Sequence, residues 1–199
     1  MRENKTIAVI ASVVLIFLSG LAAFPGTRYY STTYRVSFLF LGGLLWTVYA
    51  LRGSLHLRPL HFSLFVVALL IHDMGVFGAY RKEFFNLEFD TYVHFYFGFA
   101  GGLILYRSFQ INFGLTGWRL ACAVTVFILG IGAIHELIEF ASTLLLGPEK
   151  GMLKLNDPDK FDTQKDLLNN MLGTIVAVVC SYLGSRAVGD LSREEDDSG

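Results

Sequence analysis

Six apolar segments, spread along almost the whole sequence, constrain the fold of this chain more than any other feature. A bilayer core of about 30 Å requires about 20 residues of helix, and shorter segments suffice where the bilayer adapts. The candidate segments are residues 7–24, 36–51, 60–77, 91–106, 118–146 and 167–187. We therefore predict an all-α, polytopic bundle of about six transmembrane helices.

The composition points to lipid as the solvent of this chain. Hydrophobic residues make up 53% of the sequence, charged residues only 17%, and the mean hydropathy is +0.51. A soluble domain carries about 25% charged residues, so this chain has too few polar side chains to cover a surface in water. The net charge is −1 and the basic residues are scattered, which predicts membrane lipids and no nucleic acid as partners.

The ends of the chain permit two interpretations. We predict one membrane domain over residues 1–190 and a disordered acidic tail over 191–199. The first apolar segment follows the charged start MRENK and ends in small residues, so a cleaved signal peptide is the alternative to a first transmembrane helix. Lys and Arg divide evenly between the two sides; discounting the mixed-charge loop 147–166 favours a cytoplasmic N-terminus.

Ionisable residues are concentrated at one level of the predicted bundle. In alternating helices, the ends of the third and fifth segments and the starts of the fourth and sixth reach the same membrane face. Burying a charge in a membrane costs about 2.5–3.5 kcal/mol, so such residues usually face the protein interior. The polar residues at this level are His72, Asp73, Asp90, His94, His135, Glu136, Glu139, Asp162, Asp166, Asn169 and Asn170. We predict that they form one cluster.

The spacing within each segment supports this cluster, because residues three or four apart share a helix face. Three pairs have that spacing: Asp90 with His94, His135 with Glu139, and Asp162 with Asp166. Glycines that would let helices approach closely are Gly98, Gly101, Gly102 and Gly173. His56 and His61 fall at the opposite face, and we predict no role in the site for them.

Carboxylates and imidazoles together are a ligand set for divalent cations such as Zn, Fe, Mn or Mg. So many carboxylates cannot stay ionised together without a cation, shared protons or a basic partner such as Lys165 or Arg81. The predicted metal ligands are Asp90, His94, Glu136, Glu139, Asp162 and Asp166, and the predicted acid–base catalysts are Glu139, His94 and His135. The run HELIE departs from the HExxH zinc motif at its fifth position, Glu139.

Three runs carry a family resemblance: FDTYVHFYFGF at 89–99, AIHELIEF at 133–140 and FDTQKDLLNNMLG at 161–173. From residue 71 to 173 the sequence resembles the YjdF-like bacterial inner-membrane proteins and, more distantly, the VanZ-like membrane proteins. It departs from the VanZ-like pattern at Thr91, where a Lys is typical, and at Lys160, where an Arg is typical. The resemblance implies a multi-pass protein of the inner (cytoplasmic) membrane, and its VanZ-like part points to lipids or wall precursors of the cell envelope.

Three classes of function remain open from the sequence. The first is an enzyme that uses a divalent metal or acid–base pair on a lipid or lipid-linked envelope substrate. The second is a proton- or ion-coupled transporter or lipid translocator, although the sequence contains no inverted repeat of the kind that many transporters use. The third is a non-catalytic structural protein in which the cluster holds helices together.

Overall fold

The structure, a computed structural model, describes residues 2–22, 32–76, 79–147 and 161–197. Its helices are α1 (Arg2–Ala22), α2 (Thr32–Ala50), α3 (Pro59–Val76), α4 (Phe89–Phe113), α5 (Gly117–Leu146) and α6 (Asp162–Asp197). Each overlaps one predicted apolar segment, so the all-α prediction is confirmed for the described residues. Most of the predicted loop 147–166, with Lys160, lies outside them, and so do residues 23–31, which include the end of the first apolar segment.

The backbone of α6 stays helical through most of the segment for which we predicted a disordered tail. The helix ends at Asp197, whereas the predicted apolar segment ends at residue 187. The residues that extend it include Arg193, Glu194 and Glu195, which have favourable helix propensities and can continue an existing helix at little cost. The division of the chain into one membrane domain and a tail stays a prediction.

The first three helices pack around one apolar core. Buried residues of this core include Leu15 of α1, Leu45 of α2 and Phe62 of α3, and Ile104 of α4 joins them. At one edge, the buried Asn4 side chain donates a hydrogen bond to the carbonyl of Leu57, at 3.1 Å. That bond satisfies the amide nitrogen of Asn4, whereas its Oδ1 has no hydrogen-bond partner among the described residues.

Helices α4 and α6 make the most extensive contact in the bundle, and small residues permit it. A Cβ atom at Gly98 would collide with the carbonyl oxygen of Asn170, and one at Gly173 would collide with the carbonyl oxygen of Phe95. A Cβ at Gly102 would lie 2.8 Å from the Cβ of Ala177. The predicted role of these glycines in close helix packing is confirmed, and it is the small-xxx-small arrangement common between membrane helices.

Helix α5 packs on α4 through a second apolar cluster. Leu120, Val124 and Ile128 follow each other at intervals of four along α5 and are fully buried against Leu105 and Tyr106 of α4. A Cβ at Gly101 would lie 2.8 Å from Cδ1 of Ile128, so this predicted packing glycine faces α5 rather than α6. The interval of four keeps all three α5 side chains on one face.

Between α3 and α4 lie a short 3₁₀ turn (Ala79–Arg81) and a hairpin of two strands, β1 (Glu83–Phe84) and β2 (Leu87–Glu88). The hairpin turns at Phe85 and Asn86, which both have positive φ, and Tyr92 of α4 donates a hydrogen bond to the carbonyl of Phe84 at 2.7 Å. The sequence analysis did not predict these elements, because strands of two residues are too short to display an alternating pattern.

The outer surface of the bundle is apolar, whereas several polar residues are buried inside it. Among the described residues, two helical segments, Gly117–Leu145 and Asp162–Ser185, are long and apolar enough to cross a membrane. Large exposed side chains such as Phe17, Leu39, Phe113, Leu144 and Leu183 cover the outside of α1, α2, α4, α5 and α6. Exposed apolar surface of this extent is rare on water-soluble proteins.

Candidate metal centre

The predicted polar cluster forms where the ends of α3 and α5 meet the starts of α4 and α6. The ring centroid of His135, on α5, lies 6.2 Å from that of His72, on α3, and 6.0 Å from that of His94, on α4. Two carboxylates from the start of α4 and the start of α6 flank His94. Residues from four helices therefore meet at one level of the bundle, as their positions in the sequence predicted.

Three residues at the centre of this cluster are placed to share a cation: Asp90 and His94 from α4 and Asp166 from α6, called the α4–α6 triad below. One potential ligand atom from each lies within 4.8 Å of the other two. Nε2 of His94 is 3.5 Å from Oδ1 of Asp90 and 3.6 Å from Oδ2 of Asp166. His94 and Asp166 are buried and Asp90 is half-buried, so a bound ion would be largely shielded from solvent.

The distances from Nε2 of His94 to the two carboxylates are longer than good hydrogen bonds and match the separation of two ligands bound to one ion. A charge-assisted N–H···O bond is about 2.7–2.9 Å long. Two ligands of one tetrahedral ion, each about 2.0–2.2 Å from the metal, lie about 3.3–3.6 Å apart. The distances of 3.5 and 3.6 Å fall in that range, so each carboxylate is spaced from His94 as two ligands of one ion would be.

Asn170 lies one helical turn beyond Asp166 and is completely buried beside the His94 ring. Neither polar atom of its side chain makes a hydrogen bond of good geometry to a described residue. A Cβ at Gly132 of α5 would lie 2.6 Å from Nδ2 of Asn170, so a glycine in α5 leaves room for this amide. A buried amide that is not fully hydrogen-bonded is costly, and a ligand or water in the site would satisfy it.

A second group of polar residues lies on α5, beside the triad. Nε2 of His135 is 3.3 Å from Oε1 of Glu139, and we call these two residues the α5 pair. Glu136 is buried; its Oε2 accepts a hydrogen bond from Thr163 at 3.0 Å, while its Oε1 has no hydrogen-bond partner among the described residues. Thr163 was not predicted, because a threonine in the first turn of a helix is ordinary in sequence.

Tyr80 is a partly buried member of the cluster that the sequence analysis missed. Its hydroxyl is 2.7 Å from Nδ1 of His72, and its ring contacts the rings of His72 and Phe89 edge to face. Burial raises the pKa of Tyr80 well above its usual value, and the carboxylates of Asp90 and Glu139 raise it further. Tyr80 is therefore a neutral phenol at physiological pH. Nothing in the sequence marks this loop tyrosine as part of a site.

The remaining predicted residues lie around the triad and the α5 pair. Asp73 is 2% exposed, with Oδ2 unpartnered among the described residues, and Asn169 is partly exposed. Asp162 begins α6, half-buried, and interacts electrostatically with Asp166. Lys165, a candidate for balancing the negative charge, has Nζ 3.9 Å from Oε1 of Glu88, with both side chains about half exposed. Nothing is described for the side chain of Arg81.

Comparison with known proteins gives one match. A family of proteins described as predicted membrane proteins, DUF2238, matches residues 6–186. The chain belongs to the DUF2238 family. Its match includes the α4–α6 triad and the α5 pair, so the whole candidate centre lies within the family region. No curated protein and no solved structure matches the chain.

Proposed function

We propose that this DUF2238 protein is a YjdF-like, multi-pass protein of the cytoplasmic membrane that binds a divalent cation through the α4–α6 triad. We further propose that the cation centre acts on a lipid or lipid-linked envelope substrate. The observation that carries the proposal is the geometry of the triad: three oxygen and nitrogen ligands from two helices, mostly buried and spaced like the ligands of one ion.

Six membrane spans are supported by the apolar side chains that the helices expose. Exposed apolar side chains are found on all six helices, including the shorter ones: Ile16 on α1, Leu39 on α2 and Val67 on α3 are examples. In water such surfaces would drive association, whereas in a bilayer they are solvated by lipid. The inner-membrane location rests on the YjdF-like resemblance.

The multi-pass topology predicts that the hairpin tip and the loop after α2 lie on opposite sides of the membrane. Single cysteines introduced by Phe85→Cys and by Ser54→Cys, in a Cys122→Ser/Cys180→Ser background, are each placed at an exposed position. A membrane-impermeant maleimide added to intact cells is expected to label one of the two and to reach the other only after permeabilisation. Labelling of both from the same side would contradict the proposed spans.

A divalent cation is supported by the charge and the chemistry of the triad. Two carboxylates and one imidazole form a hard-to-borderline set that suits Zn, Mn, Fe or Mg. Further carboxylates, those of Glu136, Glu139 and Asp162, lie close enough to add to the negative potential at Asp166. A cation relieves that repulsion, and three protein ligands leave at least one coordination position open, as in catalytic metal sites.

The lipid substrate is supported by the position of the centre. The triad lies at the start of α4 and α6, where a helix bundle in a membrane meets the headgroup region. A bound cation would supply Lewis acidity toward a substrate oxygen. His135 and Glu139 are the proposed acid–base groups, because their polar atoms lie 3.3 Å apart beside the triad and the pair can hold or transfer a proton there.

Metal analysis of the purified protein tests the cation site. We expect the detergent-solubilised protein, stripped with a chelator and dialysed against Zn²⁺ or Mn²⁺, to retain the cation. Asp90→Asn removes one charged ligand. Loss of a residue that only supports a ligand lowers metal affinity roughly 10–100-fold, so loss of a ligand itself is expected to lower the affinity by more than that. His61→Gln, at the opposite end of α3, is the matched control and should bind like the wild type.

The outcome separates the proposed classes of function. Tight binding that Asp90→Asn weakens would support the cation site. Turnover of a lipid phosphate or a lipid-linked sugar by the metal-loaded protein would then support the enzyme. A folded wild-type protein without affinity for any divalent cation would overturn the metal site and leave the cluster as hydrogen-bonding between helices.

A further inference from the structure

We propose that the headgroup of an anionic phospholipid binds in a pocket at the end of the bundle opposite the α4–α6 triad. This pocket, called the α2–α3 pocket below, lies where the start of α1, the end of α2 and the start of α3 meet. Its volume is about 270 Å³, and it is lined by Asn4, Ala50, Arg52, Gly53, Leu57 and Pro59. The site needs no metal, so it is independent of the proposed cation centre.

Arg52 brings an unused hydrogen-bond donor to the α2–α3 pocket. Its Nη1 donates to the carbonyl oxygen of Tyr49 at 2.9 Å, and its Cζ lies 4.4 Å from the centroid of the Tyr49 ring. Its Nε is buried and has no hydrogen-bond partner among the described residues. The guanidinium is therefore held in place while one N–H is left for a ligand. A guanidinium binds phosphate oxygens through strong charge-assisted hydrogen bonds.

Asn4 brings an unused acceptor to the same pocket. The residue is 4% exposed, and its Nδ2 is bonded to the carbonyl of Leu57. Its Oδ1 is buried without a partner in the described part of the chain. A phosphodiester has no proton to donate to this oxygen, whereas a hydroxyl group has. The two unused groups therefore fit a ligand that carries both a phosphate and a hydroxyl, as the headgroup of phosphatidylglycerol does.

The charges around the α2–α3 pocket favour an anion. Among the described residues that line it, none carries a carboxylate. Lys5 and Arg58 are exposed and adjoin lining residues in the chain, and the exposed Glu3 offsets only one of them. Arg58 also interacts electrostatically with Arg107 of α4. Basic pockets between transmembrane helices bind anionic headgroups, and the same charges repel a headgroup that carries an ammonium group.

The position of the pocket favours a lipid over a soluble phosphate ester. Ala50, Leu57 and Pro59 give it apolar walls, and Leu51 and Leu60 expose further apolar surface next to it. The glycerol backbone and acyl chains of a phospholipid would cover that surface, which a soluble ester would leave exposed. The cytoplasmic N-terminus that the sequence favours places the pocket at the cytoplasmic leaflet, whose surface is negatively charged.

Native mass spectrometry of the full-length protein in detergent tests this site. With phosphatidylglycerol and phosphatidylcholine of matched acyl chains, we expect about one phosphatidylglycerol to be retained per chain in preference to phosphatidylcholine. Arg52→Gln removes the donor and is expected to lower the affinity for phosphatidylglycerol roughly tenfold or more.

Gly53→Glu tests the same pocket by adding a negative charge. A Cβ at Gly53 meets nothing within 4 Å, so the variant should fold normally and lose affinity for phosphatidylglycerol as Arg52→Gln does. Gln110→Glu is the matched control. It adds the same charge at an exposed position near the end of α4, outside the pocket lining, and should bind like the wild type.

Each outcome supports or overturns the proposal. Equal retention of the two lipids by the wild type would overturn the anionic headgroup, and unchanged affinity in Arg52→Gln and Gly53→Glu would overturn the location. Displacement of phosphatidylglycerol by an equal concentration of glycerol 3-phosphate would show that the pocket takes a soluble ester instead. If Arg52→Gln fails to fold, judged by size-exclusion elution, Gly53→Glu decides. Metal retention in Arg52→Gln should equal that of the wild type, so this site and the cation centre fail separately.

Discussion

Asp166→Asn is expected to make the metal-free protein more stable while it abolishes stabilisation by metal. Asp166 is 3% exposed, and four other carboxylates raise the electrostatic cost of its charge. Asparagine keeps the size of the side chain but removes the charge, so the repulsion within the apo cluster falls. In a protein of this size each 1 kcal/mol corresponds to about 2–4 °C in Tm.

Addition of metal should raise the Tm of the wild type but not that of Asp166→Asn. A cation at about 100 times its Kd stabilises the folded state by about 2.7 kcal/mol, so the wild type should gain several degrees in Tm on addition of metal. Asp166→Asn lacks a charged ligand of the triad and should gain nothing. Circular dichroism melting of the detergent-solubilised protein, with and without metal, measures both effects.

Asp162→Asn is the matched control for this experiment. Asp162 lies one helical turn before Asp166 and interacts with it electrostatically, but it is not a member of the triad. The variant should keep the thermal shift caused by metal, with affinity weakened only by the loss of a nearby charge. Loss of the shift in Asp162→Asn but not in Asp166→Asn would contradict the ligand assignment.

Gly173→Ala is expected to destabilise the bundle strongly. An added Cβ would collide with the carbonyl oxygen of Phe95 and would lie 2.8 Å from the amide nitrogen of Phe99. Both atoms belong to the backbone of α4 and cannot move aside as a flexible side chain would, so α4 and α6 must separate. Overpacking of this kind costs about 1–3 kcal/mol or more. Because α4 carries Asp90 and His94 while α6 carries Asp166, metal affinity should fall together with stability.

Gly184→Ala tests whether the effect comes from the contact or from the helix itself. Gly184 lies on the same helix, and nothing lies within 4 Å of the position that its Cβ would occupy. Alanine is the better helix former by about 1 kcal/mol, so this variant should be as stable as the wild type or more stable. Equal Tm values for the Gly173 and Gly184 variants would show that the close approach of α4 and α6 is not what limits stability.

Several features of the site could be predicted from the sequence because helix geometry is local and repetitive. A period of 3.6 residues places Asp90 with His94, and His135 with Glu139, on shared helix faces whatever the tertiary structure. Alternation of six apolar segments places the ends of α3 and α5 at the same level as the starts of α4 and α6. The glycines Gly98 and Gly102 could be recognised by their spacing, although the partner helix could not.

The choice of partners within the cluster could not be predicted, because it depends on how the helices rotate against each other. Asp162, Asp166, Glu136 and Glu139 are chemically equivalent ligands in the sequence. Rotation of α6 against α4 brings Asp166 to His94 and leaves Asp162 at the start of the helix. At Gly173 the face of α6 that lies against the backbone of α4 is one where no larger side chain fits.

The sequence by itself determined that the chain is a helical bundle with an apolar outer surface, and that its ionisable groups gather near one end. Both follow from the cost of exposing backbone and charge to an apolar solvent. Only the tertiary structure decided that Asp90, His94 and Asp166 form the triad, that Glu136 pairs with Thr163, and that Tyr80 enters the cluster from a short turn. These contacts join residues far apart in the chain, and their distances depend on helix packing, which no local pattern of residues encodes.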